Sequence, residues 1–265
     1  MNNRVILMLM LIALLFSACG SNSSWEQEEV VVSSNRIMAE MVEAKWSLEE
    51  GSLIRIEIQK NNGEPMEDFE VNHEKLLHLI IVSKNLSYFN HIHPEYKGGG
   101  VFEIENDFPA GGQYRLIADF KPVGGDSMTK MEWIQVEGVP ATDVPMAKEL
   151  TLVDVADGKR ASLSIEGLGV NRETALTFTV EDASTGEPVT DLEPYLGAIG
   201  HVVVLSEGGE RYVHVHAEED QGTGPEAQFE TSFPKAGIYK LWGQFQQNGQ
   251  VFTVSYTVIV QESVN

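Results

Sequence analysis

The chain has 265 residues, with 40 acidic against 18 basic side chains and a net charge of −22. So acidic a surface repels phosphate backbones and anionic lipid headgroups, which excludes nucleic acid as a partner. A single cysteine, Cys19, leaves the body of the protein without a disulfide or a thiolate ligand, and the length accommodates about two domains, each with its own core.

In chain order, Arg4 leads into the apolar run VILMLMLIALLF and then Ser17, Ala18 and Cys19. Residues 1–18 read as a secretory signal peptide whose apolar stretch is short for a transmembrane helix. The segment from Phe16 to Cys19 resembles the lipobox of bacterial lipoproteins. That resemblance implies a lipidated Cys19 as the mature N-terminus, anchored to a bacterial membrane on its extracytoplasmic face. Residues 19–36, rich in Ser, Asn and Glu, read as a polar tether.

From there the pattern changes to short alternating runs broken by Gly, Pro, Asn and Asp. LIRIEI (53–58), KLLHLIIV (75–82), YFNHIH (88–93), VFEIE (101–105), QYRLIADF (113–120) and MEWIQVEG (131–138) predict strands in a first domain over 37–138. VPATDVP marks a linker over 139–146. ALTFTV (175–180), HVVVL (201–205), RYVHVH (211–216), AQFETSF (227–233), IYKLWGQF (238–245) and VFTVSYTVIV (251–260) repeat the order in a second domain over 147–262. Landmarks recur at an offset of 123, rising to 125 after a two-residue insertion, so the repeat has the length of a whole domain. The fold class is therefore all-β: two tandem immunoglobulin-like or cupredoxin-like antiparallel β-sandwiches.

Six of the seven histidines sit in this repeat. His78, His91 and His93 in the first copy have the spacing of His201, His214 and His216 in the second. Read as a hairpin turning at Lys84-Asn85, His78 faces His91; a turn at Glu207-Gly208 sets His201 opposite His214. Opposed Cβ atoms lie ~4.5–5.5 Å apart and alternate residues share a face, so each set of three imidazoles converges. Ile80, Val82 and Phe89 share that face in copy one, as do Val203, Leu205 and Tyr212 in copy two. The expectation is one semi-buried three-histidine metal site at an end of each sandwich, with polar rim histidines as the ordinary alternative. His73, which aligns with Leu196, is a further candidate ligand, as are Glu95 and Glu218 or Glu219; a solvated loop residue and surface carboxylates are the ordinary readings of these.

Imidazole ligands without thiolate suit Cu(II), Zn(II) or Ni(II) and exclude a blue-copper centre; Cu or Zn is the expected ion, up to one per domain. HExxH, GxSxG and phosphate-loop signatures are absent, so no catalytic residue is assigned and an enzyme is not expected. VNHEKLLHLIIVSKNLSYFNHIHPE with DFPAGGQYRLIADF, and DLEPYLGAIGHVVVLSEGGERYVHVH with FPKAGIYKLWGQF, resemble bacterial exported proteins related to YtkA-like and FixH-like immunoglobulin-type sandwiches. The resemblance spans most of residues 39–262 and implies a link to copper handling. Copy two carries Ala217 in place of Pro94 and Leu196 in place of His73, which puts the equivalence of the two sites in doubt. The expected function is a membrane-anchored extracytoplasmic metal-binding protein serving Cu or Zn storage, delivery or protection. The rival is a structural or protein-interaction module with structural histidines.

Overall fold

The computed structural model describes residues 42–142, 146, 149 and 151–262. The expected leader, Cys19, the tether, the first residues assigned to domain one and part of the linker lie outside them.

Among the described residues, domain one contains nine strands: β1 (Val42–Glu49), β2 (Leu53–Lys60), β3 (Phe69–Glu70), β4 (Leu77–Ser83), β5 (Phe89–Ile92), β6 (Glu95–Gly98), β7 (Val101–Glu105), β8 (Gly112–Pro122) and β9 (Met128–Val136). Domain two contains β10 (Val153–Ala156), β11 (Lys159–Glu166), β12 (Glu173–Asp182), β13 (His201–Ser206), β14 (Tyr212–Val213), β15 (Val215–Ala217), β16 (Glu226–Ser232), β17 (Gly237–Gln247) and β18 (Gln250–Val260). In the first domain the order β1-β2-β7-β6 faces a sheet ordered β3-β8-β4-β5, with β9 on β8; in the second, β10-β11-β12-β16-β15 faces β14-β13-β17-β18. Every pairing between strands is antiparallel, so the molecule is two tandem immunoglobulin-like β-sandwiches. Each also carries a tyrosine corner: Tyr114 donates to the Ala110 carbonyl and Tyr239 to the Lys235 carbonyl, both at 2.8 Å. Phe108 and Phe233 pack edge-on against these tyrosines.

Strand alternation divides β4 and β13 between two cores. Leu79 and Ile81 point into the core of domain one, and Val202 and Val204 into that of domain two. Their neighbours Ile80, Val82, Val203 and Leu205 meet each other, with Ile117, Leu86 and Trp242, in a third core between the domains. Phe89 of domain one stacks on Trp242 of domain two, centroids 4.7 Å apart and 14° from parallel. Equivalent turns also abut. A methyl group on Gly209 would meet Leu86 at 3.7 Å, and one on Gly197 would meet Glu74 at 3.7 Å.

The hairpin register differs from the expected one. Ile80 pairs with His91 and Leu79 with Ile92, so continuing the ladder sets His78 opposite His93. The cause is the turn. Asn85 Oδ1 accepts from Ser83 Oγ at 2.8 Å and from the Ser87 amide at 3.2 Å, and Leu86 adopts a left-handed φ of 57°. The loop is thereby centred one residue later, which moves the register by two and leaves each histidine on its expected face. In copy two Val204 pairs with Val213 and Leu205 with Tyr212, the same displacement. There the chain leaves the sheet early: β15 joins β16 of the opposite sheet, with His216 opposite Glu230. His214 sits at that crossing, its carbonyl accepting from Thr231 Oγ1 at 2.7 Å.

Candidate metal centre

The face carrying the histidines is the face that each domain turns toward the other. Five imidazoles form one contiguous cluster. His78 lies 5.3 Å from His91, 5.0 Å from His93 and 5.8 Å from His201, between ring centroids. His201, from domain two, lies 4.9 Å from His91 and 5.8 Å from His73. His73 is held over the cluster by a tight turn, where it and Glu74 take left-handed φ values of 45° and 64°. Two positive φ values in a row are what a two-residue hairpin of this hand requires.

Among the described residues, His78, His91 and His93 have ligand atoms all within 4.8 Å of one another. His78 Nδ1 is 3.2 Å from both His91 Nε2 and His93 Nε2. Nitrogens bound to one tetrahedral ion at ~2.0–2.1 Å stand about 3.3–3.4 Å apart, so the spacing matches.

Outer partners fix two of the three tautomers. His78 Nε2 faces the Asn72 carbonyl at 2.9 Å, an acceptor only, so that nitrogen carries the hydrogen and donates. His91 Nδ1 lies 2.7 Å from Gln244 Oε1 of domain two. The Gln244 amide nitrogen donates to Thr253 Oγ1 at 3.3 Å, which orients the oxygen toward His91. His91 therefore also donates outward. In their neutral forms His78 Nδ1 and His91 Nε2 thus turn lone pairs toward each other at 3.2 Å, an unfavourable contact that a shared cation would relieve. His93 has no comparable outer partner among the described residues, so either tautomer is open to it.

A proton is a poor occupant. Burial, then the neighbouring imidazoles, depress His91 well below the ordinary histidine range. Burial and His78 bring His93 down to about 4, and burial with the surrounding rings brings His201 down to about 3. Burial also lowers His73 and His78. The rings are thus kept neutral, the form in which imidazole binds metal.

The second copy is arranged differently. His201 joins the first copy's cluster, whereas His214 and His216 are exposed and pair with each other, centroids 4.6 Å apart. They line a separate interdomain cleft with Asp119 and Tyr212. Glu95 is exposed and ion-paired with Lys97, Glu218 is engaged with Glu230, and Glu219 is exposed. Sequence reading missed Asp119 and Gln244. The available signal was positional: β8 and β17 are the ladder partners of the first histidine of each copy, with His78 opposite Asp119 and His201 opposite Gln244.

Burial pushes Asp119 up to about 6, and its charge together with burial raises Tyr212. The folded pKa lies above the unfolded value of 3.8, so stability falls as pH rises from about 4 to 6 and stays reduced above that. Asp119→Asn is therefore expected to stabilise the metal-free protein by up to about 3 kcal/mol at pH 7.5, with the advantage disappearing near pH 4. Urea unfolding in chelator at the two pH values measures this; an equal effect at both would contradict it.

Solved structures align with this chain only at low identity and low TM-score. The bacterial integrin-binding protein invasin aligns at 12% identity and TM-score 0.25, over 84% of this chain and 39% of its own. A chimeric titin Z1Z2 tandem carrying a GRGDS peptide aligns at 9% and 0.21, over 83% and 92%. A Bacteroides ovatus glucan-utilisation protein, SGBP-B, solved with a mixed-linkage heptasaccharide, aligns at 12% and 0.16, over 77% and 68%. No curated protein matches. Residues 34–138 and 154–262 each match one and the same family, so the chain belongs, through two copies, to the family described as Domain of unknown function (DUF8832).

Proposed function

We propose that the protein binds a transition-metal ion, Cu(II) or Zn(II), at His78, His91 and His93, with His201 closing the site from domain two. It does so outside the cytoplasm, tethered through lipid on Cys19, and holds metal for storage, delivery or protection rather than turning over a substrate. The carrying observation is the 3.2 Å approach of His78 Nδ1 to His91 Nε2, while the other nitrogen of each ring is engaged by the Asn72 carbonyl and by Gln244 Oε1. An all-nitrogen donor set without thiolate favours these two ions over softer or harder ones.

Metal analysis of protein purified without chelator, followed by thermal unfolding with added Zn(II) or Cu(II), tests the assignment. Metal is expected to raise the unfolding temperature, by about 2.7 kcal/mol of stability at a hundredfold excess over Kd. His93→Ala, at the half-buried rim of the cluster, is expected to abolish most of that shift without unfolding the protein. No bound metal and no shift with either ion would instead favour two immunoglobulin-like domains serving as an interaction module.

A further inference from the structure

The interdomain cleft has a volume of about 570 Å³ and receives side chains from both domains. Asp119, on its domain-one wall, is 6% exposed, and its Oδ1 has no hydrogen-bond partner among the described residues. A buried carboxylate oxygen left unpaired is costly, and a cation is one group that removes the cost. His214 and His216 line the same cleft from domain two, rings 4.6 Å apart. Lys121, the cation on the lining, is engaged by Glu70 at 2.7 Å.

The repeat adds an independent argument. Asp119 occupies in β8 the place that Gln244 occupies in β17, each opposite the first histidine of its copy. Gln244 reaches across the interface to His91. Exchanging the domains turns that pair into Asp119 and His214, so Asp119 lies where it serves the other domain's histidines. A neutral amide exchanges only hydrogen bonds with a ring, whereas an ionised carboxylate is an anionic donor that binds zinc directly at ~2.0–2.2 Å.

We propose that the cleft is a second metal site, taking a divalent ion such as Zn(II) on His214, His216 and Asp119. The three donors do not already meet within 4.8 Å as the first triad does. Both histidines are exposed, and exposed side chains change rotamer on the picosecond-to-nanosecond scale, so binding would draw their rings toward the carboxylate. Openness and an oxygen donor make this the weaker and faster-exchanging of the two sites.

This site deepens the metal-binding reading, so its test is run where the first triad is disabled. In the mature chain carrying His78→Ala and His93→Ala, calorimetric titration with Zn(II) is expected to show one equivalent. Adding Asp119→Asn should weaken it by about tenfold or more, within the range of a lost metal-site partner. Asparagine preserves the shape of the side chain, and circular dichroism checks the fold. In the otherwise unaltered chain, His214→Ala with His216→Ala should remove the weaker of two zinc equivalents, and both positions are exposed enough to keep the fold intact. No zinc binding in the triad-disabled chain, or binding indifferent to Asp119→Asn, overturns the proposal. An unaltered chain that binds zinc only in the cleft would uphold this site while refuting the triad.

Discussion

Truncating Trp242 to alanine is expected to lower unfolding stability by about 3–5 kcal/mol. The indole is 4% exposed, yet its partners lie largely in the other domain: it stacks on Phe89 and packs in the core formed by Ile80, Val82, Ile117, Val203 and Leu205. Neither sandwich can collapse into the resulting void without moving relative to the other, so the cavity persists and the cost stays high. Gln244 lies two residues along β17 on the same face, so the substitution should also loosen its hold on His91 and weaken metal binding. Urea unfolding of Trp242→Ala and Trp242→Phe, each with and without zinc, separates the two effects. A loss below about 1 kcal/mol would mean that the domains do not bury this face against each other in solution.

The largest effect on metal should come from His91→Ala. His91 supplies one of the two opposed lone pairs, is 7% exposed, and bridges the domains through Gln244. Its removal takes away a proposed ligand and strands the buried Gln244 amide oxygen. Affinity is expected to fall further than the roughly 10–100-fold that loss of an outer partner causes, and the metal-free protein should lose about 1–3 kcal/mol for the unsatisfied acceptor. Gln244→Leu, which keeps the ligand and releases its orientation, should land within that smaller range. Chelator-competition titrations of the two variants rank them. Equal affinities for His91→Ala and the unaltered chain would remove His91 from the site.

Alternation and repeat length made the all-β, two-sandwich build legible. β1 and β11 were missed because their inward residues, Ala44, Trp46 and Leu48, then Ala161, Leu163 and Ile165, alternate with charged and small polar residues in a dilute pattern. The shared face of the histidines was also legible, since a two-residue register change preserves it. The partner of that face was not. Periodicity records which residues point together, never which surface they meet, and His201 therefore looked like a ligand for its own domain. The one trace of the true arrangement was that β4 and β13 are apolar on both faces, a sign of cover on two sides.

The third core has a further consequence, because both halves of it belong to one chain. Two separate copies joined through such a face would come apart on dilution, and their metal sites with them. Covalent linkage holds the second half at an effective concentration of roughly millimolar order, whatever the amount of protein present. The cross-domain bond from His91 to Gln244 is thus insulated from dilution, and the proposed site should have the same affinity in a sparse population of molecules as in a dense one.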